Sequence, residues 1–174
     1  MVHETQTPPL SDLWGHEKAD WIKHYVELLR PYFDCQYYDC CELGEVSKSP
    51  YEQESLHQQF IDGGIEKAVE KLVELEQEEV SVLAFSVGGT ITWKATLEGL
   101  KTKQLWAVSA TRLRYETECS DIPIRLFFGE KDKYRPKMNW LEKMKVGYQI
   151  FPEHGHNLYL EDSCINVICS YIIE

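Results

Sequence analysis

Apolar residues along this chain alternate between two patterns: a spacing of three or four, as helices show, and short unbroken runs, as buried strands show. Residues 17–33 set Trp21, Ile22, Tyr25, Val26, Leu28, Leu29, Tyr32 and Phe33 at helical spacing, and Cys35-Gln36-Tyr37-Tyr38-Asp39 then reads as a short strand. A loop follows through 42–50. Residues 54–77 carry a second helical pattern, with Ile61, Ile65, Ala68, Val69, Leu72 and Val73 on one face, and Gly63-Gly64 break or bend its early turns. The runs 79–85, 104–109, 122–128 and 146–151 read as strands, the third admitting Pro123 near its start, where a missing N–H is tolerated. Helical stretches separate them over about 87–99 and 136–145, and a helix over 158–173 closes the chain with Leu158, Ile165, Ile168, Tyr171 and Ile172 inward. The first strand is expected over Thr7–Leu13, which holds two prolines. It is either very short, beginning near Leu10, or an atypical start.

This alternation implies an α/β fold, with a mostly parallel sheet and helices on both faces. The 174 residues suffice for one domain with a real core and are too few for two, so 1–174 is read as one unit. The formal net charge of −11 argues against nucleic acid as a partner, because phosphate binding needs a basic footprint. No apolar run reaches bilayer length, and the first nine residues lack a basic segment followed by an apolar core. The six cysteines (35, 40, 41, 119, 164 and 169) form neither a C-x-x-C pair nor a zinc pattern. They read as reduced thiols acting as small buried hydrophobes in a cytoplasmic protein, with no metal or cofactor expected.

Candidate chemistry gathers at the strand ends, which in a parallel sheet share one edge. After 79–85 comes Ala84-Phe85-Ser86-Val87-Gly88-Gly89. This is a serine on a sharp strand-to-helix turn among small residues, with Ala84 where the G-x-S-x-G pattern has its first glycine. After 122–128 comes Gly129-Glu130-Lys131-Asp132, and after 146–151 comes Pro152-Glu153-His154-Gly155-His156. A nucleophile, an acid and a base thus follow one another, with Glu130 competing with Asp132 and His154 with His156. Gly88-Gly89-Thr90 is no phosphate loop, because no Lys-Ser/Thr follows it.

In this order and these motifs the chain resembles the α/β-hydrolase superfamily over nearly its whole length, as a small member without a cap domain. The resemblance implies Ser86 as nucleophile, Asp132 (strand, then Gly-x-x-Asp) as triad acid and His156 (Gly-His before an apolar helix) as base. It implies a three-layer sandwich whose sheet keeps six strands in the order 2-1-3-4-5-6. It also implies an oxyanion hole made by the Val87 N–H and a second N–H near Leu13. Where many members have His-Gly, this chain has Ser11-Asp12-Leu13-Trp14-Gly15. A carboxylate beside an oxyanion hole opposes the charge being stabilised, so Asp12 must turn away, pair, or serve elsewhere.

Asp12, Trp14 and Arg112 are candidate substrate contacts. Arg112 and Arg114 follow the fourth strand and either hold a substrate carboxylate or phosphate or pair with the chain's many acids. Residues 110–121 are too few for a cap, so an open, shallow site is expected. The implied activity is cleavage of a small ester or thioester through an acyl-enzyme, with a small acyl compound as substrate and the oligomeric state left open. Carbon–carbon bond hydrolysis uses the same triad, and the alternative is a catalytically silent protein that binds a ligand or partner.

Overall fold

The computed structural model describes residues 9–174. Five parallel strands run side by side in chain order: β1 (Pro9–Leu10), β2 (Val80–Phe85), β3 (Thr102–Val108), β4 (Ile124–Gly129) and β5 (Gly147–Phe151). The central strands are apolar on both faces because both faces are covered, and their two-residue period sorts side chains into two clusters. Val80, Val82 and Ala84 of β2, Leu105 and Ala107 of β3, and Leu126 and Phe128 of β4 point to one side. Leu83, Phe85, Trp106, Val108 and Phe127 point to the other.

The first cluster is closed by α2 (Cys40–Leu43), α3 (Gln53–Gln59), α4 (Ile65–Leu75), α5 (Val87–Leu97) and α6 (Met138–Met144). The second is closed by α1 (Ile22–Leu29) and α7 (Asp162–Ile173). The result is a three-layer α/β arrangement.

Among the described residues the sheet has five strands where six were expected. Residues 35–39 contribute a single bridge, Tyr38 to Leu10, through Tyr38 N–H to the Pro9 carbonyl and Ser11 N–H to the Tyr38 carbonyl, both at 3.0 Å. The next residue explains why the pairing stops. The buried Asp39 carboxylate accepts the N–H groups of Cys41 (2.7 Å) and Glu42 (3.4 Å), so it caps α2 and turns the chain into a helix where a loop was expected. It also accepts His16 N–H at 2.7 Å and Lys48 Nζ at 3.1 Å. The expected first strand lies partly outside the described residues; within them it is the two-residue β1.

The helix expected over 54–77 is divided as Gly63-Gly64 suggested. A wider helical turn, Phe60–Gly64, joins α3 to α4, and Gly63 sits at φ 121°, a conformation that side chains other than glycine's rarely adopt. The helix expected over 17–33 contracts to a 3-10 turn (His16–Lys18) and α1, and the closing helix begins with a 3-10 turn, His156–Leu160. Among the described residues no helix is long and apolar enough to cross a membrane, and all six cysteines are free thiols.

Candidate active site

Ser86 stands between β2 and α5 at φ 51°, ψ −119°, outside the range that L-residues ordinarily occupy. Such a conformation costs about 1–3 kcal/mol and persists only where its surroundings enforce it. Here the Ser86 N–H donates to the Val108 carbonyl (3.0 Å), while the Ser86 carbonyl accepts Gly89 N–H (3.1 Å) and Thr111 N–H (3.2 Å). The two glycines that follow are demanded by close approach. A Cβ on Gly88 would lie 2.6 Å from the Ser11 carbonyl oxygen, and one on Gly89 would lie 2.5 Å from Ala110 Cβ.

The β4 and β5 ends bring the other two side chains to this serine. Ser86 Oγ lies 3.2 Å from His156 Nε2, and His156 Nδ1 lies 3.0 Å from Asp132 Oδ2. Asp132 is buried, and its other oxygen accepts Tyr134 N–H at 2.9 Å. A carboxylate facing Nδ1 fixes the proton there and leaves Nε2 as an acceptor for the Ser86 hydroxyl. The His156 ring packs edge-on against Tyr134, with centroids 5.1 Å apart. Gly129 makes room for the loop carrying His156, since a Cβ there would collide with the carbonyl oxygens of His154 and Gly155.

The rival residues are engaged elsewhere. Glu130 accepts Glu153 N–H at 3.0 Å, and His154 contacts the Pro152 carbonyl (2.7 Å) and Glu161 (3.2 Å). His154, Glu161 and Cys164 also form a three-residue set of metal-ligand type, their ligand atoms within 4.8 Å of one another.

No protein-family model matches the chain, and no curated protein matches its sequence. Solved structures do match its shape. A putative hydrolase of the alpha/beta superfamily from Xanthomonas campestris superimposes with a TM-score of 0.69 at 14% identity, over 98% of each chain. A putative dienelactone hydrolase from Klebsiella pneumoniae gives 0.72 at 12% identity, over 99% of this chain and 87% of that one. A structure from a study of carboxylesterases of Nitrososphaera gargenis gives 0.61 at 8% identity, over 99% and 91%. The chain has the α/β-hydrolase fold.

In this α/β-hydrolase fold a cavity of about 520 Å³ opens beside the serine. Ser86, Val87 and His156 line it together with apolar Leu13, Phe60, Ile61 and Ile65. Tyr134, Thr111, Arg112, Arg114, Tyr115, Gln53, Glu54 and His57 supply its polar lining. Residues 110–121 are short, and the cavity is walled also by α3 and the turn after it, whose one sequence signal is the Gly63-Gly64 bend. Tyr134 and His57 were not anticipated, since neither falls in a motif.

Leu13 and Val87, expected to supply oxyanion donors, both reach the cavity, and among the described residues neither N–H has a protein acceptor. Arg112 reaches it as well. Asp12 and Trp14 do not line it. Trp14 is edge-on to Tyr51 (5.5 Å) with Lys18 Nζ 3.6 Å above its ring. Asp12 is buried, accepting Trp14 N–H and the Tyr159 hydroxyl, each at 3.0 Å. Burial pushes the Asp12 carboxyl above its ordinary value, against the lowering effect of those two donors and of His156.

Proposed function

We propose that this chain is a serine hydrolase that cleaves small esters or thioesters through an acyl-enzyme intermediate. The observation that carries this reading is the unbroken line from Ser86 Oγ to His156 Nε2 (3.2 Å) and from His156 Nδ1 to Asp132 Oδ2 (3.0 Å). A serine hydroxyl is a poor nucleophile until a base takes its proton. His156 accepts that proton as Oγ attacks the acyl carbon, then delivers it to the departing alkoxide or thiolate. Asp132 holds the imidazole in the required tautomer and stabilises its cationic form. Water then attacks the acyl-enzyme, His156 again acting as base.

The oxyanion formed in both halves is taken by the Val87 and Leu13 N–H groups. Asp12 does not oppose this, because its two oxygens are turned to Trp14 N–H and Tyr159 Oη. The hydrolase and carboxylesterase names of the structural neighbours agree with the reaction class. The reaction needs no cofactor.

The test is labelling by a fluorophosphonate, which reacts only with an activated serine, on wild type, Ser86→Ala and His156→Ala. An adduct on wild type that both substitutions abolish is the expected result. Folded wild-type protein that takes up no label would sink the reading. A panel of matched acyl esters and acyl thioesters then ranks the leaving groups.

A further inference from the structure

The cavity beside Ser86 carries charges of a different balance from the rest of the molecule. The chain as a whole is strongly acidic, with a net charge of −11. The cavity is lined by two arginines, Arg112 and Arg114, and by one carboxylate, the exposed Glu54. None of the ion pairs among the described residues involves either arginine, although the surface offers many acids. Both guanidinium groups are instead arranged around one ring. Arg112 Cζ lies 5.0 Å and Arg114 Cζ 4.5 Å from the Tyr115 centroid. Stacking of this kind orients a guanidinium while leaving its in-plane donors available.

Each arginine is tied to a different member of the triad. Arg112 follows Thr111, whose N–H donates to the Ser86 carbonyl at 3.2 Å and whose own carbonyl accepts the Thr90 hydroxyl. Arg114 donates through Nη1 to the Tyr134 carbonyl (3.1 Å) and through Nη2 to the Tyr115 hydroxyl (3.0 Å), and the Tyr134 ring packs on His156. Arg112 holds a left-handed backbone at φ 61°. Their field reaches across the cavity to His57, whose imidazole is held below its ordinary value by burial first and then by these two charges.

We propose that Arg112 and Arg114 form an anion subsite, so that the preferred substrates are esters or thioesters bearing a second, unreacted carboxylate or phosphate. This deepens the serine-hydrolase reading and rests on it. Chemically, the acyl carbon is presented to Ser86 while the distal anion meets the fork of Arg112 and the N–H groups of Arg114 not already given to Tyr134 and Tyr115, donors that suit planar or tetrahedral oxyanions.

The test compares p-nitrophenyl esters of glutarate carrying a free distal carboxylate with the same esters capped as distal methyl esters. Wild type at low ionic strength is expected to prefer the anionic ester by about tenfold in kcat/KM, and added salt is expected to erode that preference. Arg114→Gln and Arg112→Gln each lower the ratio of the two rates, and Glu54→Gln raises it. Arg114→Gln guards against a folding artefact at the strained Arg112, and Lys23→Gln, which does not line the cavity, controls for the loss of a charge.

Ser86-dependent turnover with no preference, or with the neutral ester preferred, overturns the subsite while leaving the hydrolase reading intact. If neither ester is turned over, fluorophosphonate labelling of Ser86 decides the hydrolase reading and glutarate binding decides the subsite. Saturable binding to wild type that Arg114→Gln weakens supports it, and the absence of binding overturns it.

Discussion

The Tyr159 hydroxyl donates to the buried Asp12 carboxylate at 3.0 Å, across 147 residues of sequence. This bond joins the loop after β1, which carries Leu13, to the 3-10 turn that begins with His156. The Tyr159 ring also stands edge-on to His156, with centroids 6.1 Å apart. Tyr159→Phe keeps the ring and removes the donor, leaving the Asp12 carboxylate with only the Trp14 N–H. A buried acceptor deprived of a partner costs roughly 1–3 kcal/mol, so urea unfolding should shift by that amount. An unchanged midpoint would mean that the bond contributes nothing to stability.

The same carboxyl sets a pH dependence. Burial, outweighing the Trp14 and Tyr159 hydrogen bonds, holds Asp12 above its ordinary value. The folded protein therefore keeps this proton to higher pH than the unfolded chain does. The resulting contribution is fully present below the unfolded value, about pH 4, and is lost as pH rises through the folded value. Asp12→Asn stays neutral throughout and lacks this loss. Its stability relative to wild type should therefore rise as pH climbs from about 4 through the folded value of Asp12. A relative stability that is flat or falls over that range contradicts the assignment.

Ser86 and Asp132 were legible as candidates because each follows a strand within a few residues of a glycine that the local geometry demands, Gly88 and Gly129, and His156 because it follows the last strand in a Gly-His step. The parallel sheet then gathers strand ends at one edge without further information. Residues 35–39 were not legible as a lone bridge, because the capping role of Asp39 depends on N–H groups that become available only once α2 forms. Asp12 was flagged as a conflict, and its resolution needed Tyr159, a partner no local pattern could connect. The cavity wall was hidden for a similar reason: Ile61 lies on an apolar helical face in sequence, yet the wide turn at 60–64 leaves it 37% exposed and lining the cavity.

The elbow glycines should tolerate no side chain. Gly88→Ala places a methyl 2.6 Å from the Ser11 carbonyl oxygen, and main chain cannot swing away as a flexible side chain would. Overpacking of this sort costs about 1–3 kcal/mol, or a fall of roughly 5 °C in melting temperature for a chain of this length. Relief by displacement of Ser11 would also shift Leu13, so hydrolysis should fall together with stability. Thermal melts and initial rates on one preparation check both.

Asp132→Asn isolates the role proposed for Asp132 as triad acid. The side chain keeps its size, and one oxygen can still accept Tyr134 N–H, but the group facing His156 Nδ1 no longer requires a proton there. With the tautomer and the imidazolium both unsupported, kcat should fall roughly 10³- to 10⁴-fold while the melting temperature changes little. A loss of only a few-fold would show that His156 is oriented mainly by Tyr134 and Tyr159.

Chain-length preference should trace back to Ile61. The apolar lining of Leu13, Phe60, Ile61 and Ile65 offers an acyl stem contact within a cavity of about 520 Å³. Each methylene buried there is worth about 0.8 kcal/mol, or roughly fourfold in kcat/KM. A series of p-nitrophenyl esters from acetate to hexanoate should therefore climb by that factor per carbon until the cavity is filled. Ile61→Asp replaces part of the wall with charge at a position exposed enough to leave the core packed. The slope against chain length should drop by at least half, with the acetate ester affected least. A variant that remains active with the wild-type slope would place the acyl stem along another wall of the cavity.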